Sequence, residues 1–423
     1  MNVPKEFSII DNRNMKDFSI ATFSKYKNID VIKKFDDSII RGNLEEACNW
    51  LIELHISGKM NNIWEVIFCA ISKNINIKNP NLISWTWLKY IKYEKIIKKI
   101  NKSYEYESRN NQEIRNLFAD VITILICSDK SQIFDKLPKF NNKDLIYNNY
   151  SKKIKFLDQS IINDIFPDKN NMDKEFKIGI NEIGNQIKNG KIEELIFWCI
   201  WLDKLEKSKK KNGMTFICPE IEIKDINKKY QCDWVWSVWY IILLNSKHSD
   251  ILINEINALY NIYKWKYSTA TRNKKQYILY HSLLLLKNNI NWKIPLIYKY
   301  EYRIQACCNI NQLYKLKKMY EIKHIKDDSD NNNNNSYKQI NKKAINNKPE
   351  INIKTETKPK KPFQIKEKND EQAKIEANMM KKMDYFNNIV FYKPKHSVQN
   401  HNIKKDNHRI EQLEYKNIKY KYR

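Results

Sequence analysis

Glycine is scarce in this chain, at six residues among 423. A phosphate-cradling loop needs closely spaced glycines so that backbone N–H groups converge on the anion, followed by a lysine and a hydroxyl. No Gly-x-x-x-x-Gly-Lys-Ser/Thr occurs, and Gly184 and Gly190 lack the lysine–hydroxyl pair. Histidine is also sparse, at seven residues, and none of the eight cysteines forms a Cys-x-x-Cys. A zinc site needs four convergent ligands, so neither a metal nor another cofactor is expected. No apolar run reaches the roughly 18–20 residues of a spanning helix; the 277–286 stretch is short and interrupted by His281. No membrane partner is expected, and the polar start Met1-Asn2-Val3-Pro4-Lys5-Glu6 does not read as a secretory signal. Cys48, Cys69, Cys127 and Cys199 lie in apolar helical runs, as small reduced core residues do. Disulfides are not expected, and an intracellular, reducing compartment is, cytoplasmic or nuclear.

What the chain has in excess is lysine, asparagine and isoleucine, a bias that resembles coding from an AT-rich genome such as that of a large DNA virus. The formal net charge is +27, which favours polyanionic partners. Residues 321–423 carry 24 basic and 14 acidic side chains, an excess of +10, so most of the charge lies on the preceding residues. Eleven tryptophans supply the buried area of a real core.

Helical periodicity dominates up to about residue 320. In Gly42-Asn43-Leu44-Glu45-Glu46-Ala47-Cys48-Asn49-Trp50-Leu51-Ile52, glycine stops one helix and Asn43 caps the next, with Glu46 at the third position of a capping box. Leu44, Ala47, Cys48, Leu51 and Ile52 then share one face. Ile192, Leu195, Ile196, Cys199 and Ile200 repeat that register 148 positions later, with Trp198 for Trp50 and Gly190 for Gly42. The fold class expected is all-α. Two tandem modules of about five helices each occupy 29–132 and 173–322, joined by a connector over 133–172. A flexible arm is expected over 1–28 and a short hairpin near 214–223. A disordered basic tail is expected over 323–423, with a helix at 371–390.

Ser38-Ile39-Ile40-Arg41-Gly42 leading into Glu45-Glu46-Ala47-Cys48-Asn49-Trp50-Leu51 resembles the C-terminal helical region of clamp-loader-like AAA+ ATPases, the replication-associated recombination protein A family and its Werner-interacting relatives. Ile67–Pro80 and Phe118–Leu125, followed by Lys130-Ser131, stand where that family has its later helical segments. The resemblance covers roughly 36–132, with a degenerate second copy at 176–300. Lys73-Asn74 replaces the family's acidic pair. In the family this region forms an oligomerisation collar, so the resemblance implies a collar without its ATPase motor, acting among replication proteins or by self-association.

Two features compete with a purely architectural reading. Lys89, Lys92, Lys95 and Lys99 run along one predicted helix, interleaved with Tyr90 and Tyr93. Such a face suits DNA, with lysines on phosphates and tyrosines on bases; the same pattern also describes a solvated face above core aromatics. Lys207, Lys209, Lys210 and Lys211 form a second basic patch, read as a loop. For chemistry there is little. His281 lies in an apolar run without a partner, and the Glu45/Glu46 and Glu193/Glu194 pairs suit the first turn of a helix. The reading is a non-enzymatic scaffold or adaptor at DNA replication or repair. The alternative is a structural or protein-interaction component with no nucleic-acid role.

Overall fold

The computed structural model describes residues 3–100, 107–137, 139–156, 160–166, 172–296 and 300–322, all within the compact unit Met1–Ile365. The tail beyond 322 and its expected helix at 371–390 lie outside the described residues.

The chain is all-α. The first module comprises α1 (Asn28–Arg41), α2 (Leu44–Ile56), α3 (Met60–Ala70), α4 (Leu82–Ile100) and α5 (Gln112–Cys127). Two short helices, α6 (Tyr147–Tyr150) and α7 (Ser160–Ile165), lie in the connector. The second module comprises α8 (Lys174–Asn189), α9 (Ile192–Lys211), α10 (Trp234–Asn245), α11 (Asp250–Lys264) and α12 (Arg272–Lys287), and α13 (Tyr300–Lys317) follows.

Local chemistry explains the joints. Gly42 adopts the left-handed conformation, φ +73°, and Asn43 N–H donates back to Ser38 C=O at 3.0 Å, closing α1. The Asn43 side chain then accepts Glu46 N–H at 3.2 Å, the expected cap. The reciprocal half of the capping box is absent, because the Glu46 carboxylate turns to Arg41 at 2.6 Å. Gly190, at φ −98°, is not left-handed. It is small because a side chain there would strike Gln186.

The two modules pack alike. In the first, α1 packs on α2, α3 and α5, α5 on α2 and α4, and α3 on α4. The second repeats these pairings among α8 to α12 in the same order, but the first also packs α2 on α3 and the second α10 on α12, without a comparable counterpart in the other. Ala47/Leu195, Cys48/Ile196, Trp50/Trp198 and Leu51/Cys199 are buried in both copies. Between modules, α4 packs on α11 and α3 on α12, and Trp265 lies edge-on to Phe68 and Tyr90 at 5.9 and 5.5 Å.

Three expectations are corrected. The 1–28 arm is not loose where it is described. Val3, Ile9, Phe18 and Phe23 are buried, and Phe23 N–H donates to Ser57 Oγ at 2.7 Å. The 214–223 stretch forms no strand pair; it runs along the start of α8, where Asp173 N–H donates to Ile217 C=O at 3.2 Å. Lastly, α13 belongs by packing to the first module, not the second. It lies against α5 and α2 and buries Ala306, Ile310, Tyr314 and Lys317 along one stripe. The arm covers its far end, with Arg13 donating to Tyr320 C=O at 2.9 Å and Asn12 N–H to Ile322 C=O at 3.0 Å.

Candidate nucleic-acid interface

Helix α4 divides its side chains sharply. Tyr90 and Tyr93 point inward, 8 % and 2 % exposed. Both rings lie against Trp64, at 5.2 and 5.6 Å, and Tyr93 also meets Phe118 at 5.9 Å. The expected stacking face for bases is therefore corrected: these tyrosines form the core between α3, α4 and α5. Burial of large rings that leave an edge toward a helix neighbour outweighs display.

The lysines emerge on the opposite side, in two groups. Lys89 pairs with Asp120 of α5 at 3.3 Å, and Lys92 with Glu113 at 3.1 Å. Both line a groove of about 410 Å³ between α4, α5 and α13, whose apolar part includes Leu117, Ile304 and Cys308. Arg303 of α13 enters the same groove and also binds Asp120. Further along, Lys95, Lys98 and Lys99 are exposed, and none forms an ion pair among the described residues. Arg303 is not legible as a site residue in the sequence, since nothing local indicates that α13 returns to α5.

The second lysine patch is helical, not a loop. Lysine is a good helix former, and cations in a last turn suit the macrodipole, so α9 continues to Lys211. Gly213, at φ +72°, stops it. Lys207 binds Asp203 at 2.6 Å, Lys210 binds Glu206 at 2.5 Å, and Lys209 binds Asp173 and Glu175 at 2.9 and 3.2 Å. Lys211 is exposed.

Beneath that patch lies a buried network that sequence reasoning missed. Arg272, at the start of α12, binds Asp233 at 2.7 Å, Glu206 at 2.5 Å and Asp203 at 3.0 Å. Burial works against its charge, but Asp233, Glu206 and Asp203 outweigh it and keep the guanidinium protonated. Asp233 also caps α10, accepting Val235 N–H at 3.3 Å, and takes the Tyr267 hydroxyl at 2.5 Å. The one available signal was Asp203 and Glu206, three apart on one face of α9.

His55 and His281 are both enclosed in the core. His55 is bonded to the Tyr314 hydroxyl and, at 3.2 Å, to Ser108 Oγ. Burial, then Arg115 and Arg109, hold its pKa well below the usual value. Burial alone pushes His281 down to about 3. All eight cysteines are free, and no cluster of three or more metal-ligating side chains occurs among the described residues. No protein-family model, curated protein or solved structure matches the chain.

Proposed function

We propose that the protein is a non-enzymatic helical scaffold, related to the clamp-loader collar, that acts at DNA replication or repair and holds DNA weakly through lysine. The observation that carries the reading is the exposed run Lys95, Lys98 and Lys99 at the end of α4, in a chain of net charge +27. Exposed ammonium groups at helical spacing can follow a phosphate backbone and release its counterions. The order of the helical segments over 36–132 supports the collar relationship. Lys89 and Lys92 contribute less, because Asp120 and Glu113 already neutralise them.

The test is duplex DNA binding by the full chain across a salt series. The triple variant Lys95→Glu, Lys98→Glu, Lys99→Glu is expected to weaken binding. It should also flatten the log–log salt slope by up to about 0.9 for each phosphate that is no longer neutralised. Binding unchanged by the triple variant would reject this face. A second reading, a protein-interaction component without a nucleic-acid role, is favoured by the ion pairing of Lys207, Lys209 and Lys210. It predicts salt-insensitive partner capture and no DNA affinity.

A further inference from the structure

Ile20 and Ile29 stand far into solvent, 87 % and 79 % exposed. The segments that carry them are joined. Ala21 and Lys27 form an isolated antiparallel bridge, and the Asn28 side-chain amide donates to Ser19 C=O at 2.8 Å and Phe18 C=O at 3.2 Å. Ile20 follows Ser19 and Ile29 follows Asn28, so the two isoleucines flank one hydrogen-bonded pair. Residues beside it are anchored to the core. Phe18 and Phe23 are buried, and Ser24 donates to the buried Glu53 carboxylate through both its N–H and its hydroxyl, each at 2.7 Å. Lys16, Lys25, Lys27 and Lys33 are exposed around it, against the exposed acids Asp17 and Asp30.

We infer that this tip is a peripheral membrane contact, placing two isoleucines among the acyl chains of an anionic lipid surface with the lysines at the headgroups. Ile20 and Ile29 present most of their side chains to solvent. A protein partner would have to bring a matching pocket, whereas a bilayer accepts a protruding aliphatic group directly and rewards nearby lysines. This contact needs no spanning segment, and no helix among the described residues is long and apolar enough to cross a membrane. The inference departs from the expectation of no membrane partner, which rests on the absence of a spanning run. The inference is independent of the DNA reading.

Co-sedimentation of the full chain tests it, with phosphatidylserine–phosphatidylcholine vesicles and with pure phosphatidylcholine vesicles, at an ionic strength of about 0.15 M. Binding is expected to the anionic vesicles only. The double variant Ile20→Asp, Ile29→Asp is expected to lose roughly tenfold or more in affinity, and Ile20→Trp to bind more tightly, both with unchanged thermal midpoints. Failure of the wild-type chain to bind anionic vesicles would overturn the inference. So would equal binding by the double variant, which would assign the interaction to net charge alone. A change of oligomeric state in the double variant without a change in vesicle binding would assign the tip to a protein contact and overturn it equally.

Discussion

Glu255 of α11 accepts the backbone N–H of Ser84 at 3.0 Å and its hydroxyl at 2.5 Å, so one module caps the first turn of α4 in the other. The carboxyl is wholly buried without a cation, and burial raises its pKa to about 8, offset only in part by Ser84. The folded state therefore holds a proton that the unfolded chain releases near 4.5. Stability contributed by that proton is complete at low pH and is lost as pH rises toward 8, by at most about 1.4 kcal/mol per pH unit. Glu255→Gln keeps an acceptor for Ser84 N–H and removes the titration. Urea unfolding at pH 5 and pH 8 is expected to show a smaller pH loss in the variant, and an identical loss in both proteins would contradict the protonated state.

A second buried carboxylate behaves in the opposite way. Glu53 of α2 lies 2.8 Å from Lys317 of α13, both at most 2 % exposed. Burial pushes the Glu53 pKa up, yet Lys317, the Ser24 N–H and the Thr22 hydroxyl bring it below the usual value. Its contribution is present above the ordinary glutamate range and is lost as pH falls through the lowered value. Lys317→Met strands the carboxylate in the core and is expected to cost about 3–5 kcal/mol. Glu53→Gln combined with Lys317→Met is expected to recover part of that. Equal destabilisation by the single and double variants would show that packing, not charge, holds α13.

The placement of α13 gives a spatially resolved expectation. Tyr314 is fully buried, bonded to His55, with the Arg115 guanidinium 3.7 Å from its ring centroid. Tyr314→Ala leaves a cavity of the kind that costs about 3–5 kcal/mol. Because the 3–27 arm is tied to 318–322, the arm and α13 are expected to open together. Hydrogen exchange should rise over 3–27 and 300–322 and stay unchanged over 234–287. Increased exchange spread across α10 to α12 instead would return α13 to the second module.

Features that depend on near neighbours in the chain are legible in the sequence, and those that depend on distant partners are not. The caps at Asn43 and Asp233, the stop at Gly42 and the stripe from Leu44 to Ile52 depend on residues within a turn or two, so spacing reveals them. The same spacing places the α4 lysines on one face but carries no information on whether Asp120 and Glu113 face them from α5. Tyr90 and Tyr93 admit two interpretations because periodicity does not say which side of a helix its neighbours α3 and α5 cover. The order of the arm is hidden for a related reason: Ile9, Phe18 and Phe23 follow no period, and the arm is tied to distant residues, Glu53 and Ser57, Asn110, and Tyr320 and Ile322.

Some of the positive charge is consumed inside the fold, and this bounds how much of the +27 a polyanion can meet. Lys275, at the start of α12, donates to the carbonyls of Ile262 and Tyr263 at 3.2 and 2.9 Å and also to Trp265, closing the C-terminus of α11. Lys130 does the same for α5 at Leu125 C=O and Ser128 C=O, each at 2.8 Å. Burial lowers both ammonium groups to about 8. Lys275→Met leaves carbonyls of α11 without a donor and is expected to cost about 1–3 kcal/mol at neutral pH, with DNA affinity unchanged. Between about pH 8 and 10.5 the unfolded chain keeps a proton that the folded chain has released, so this group makes the wild type gain stability with rising pH. The variant lacks that gain, and the stability gap between the two proteins is expected to widen over this range in urea unfolding. A gap that narrows would mean that the ammonium form is the one the fold prefers.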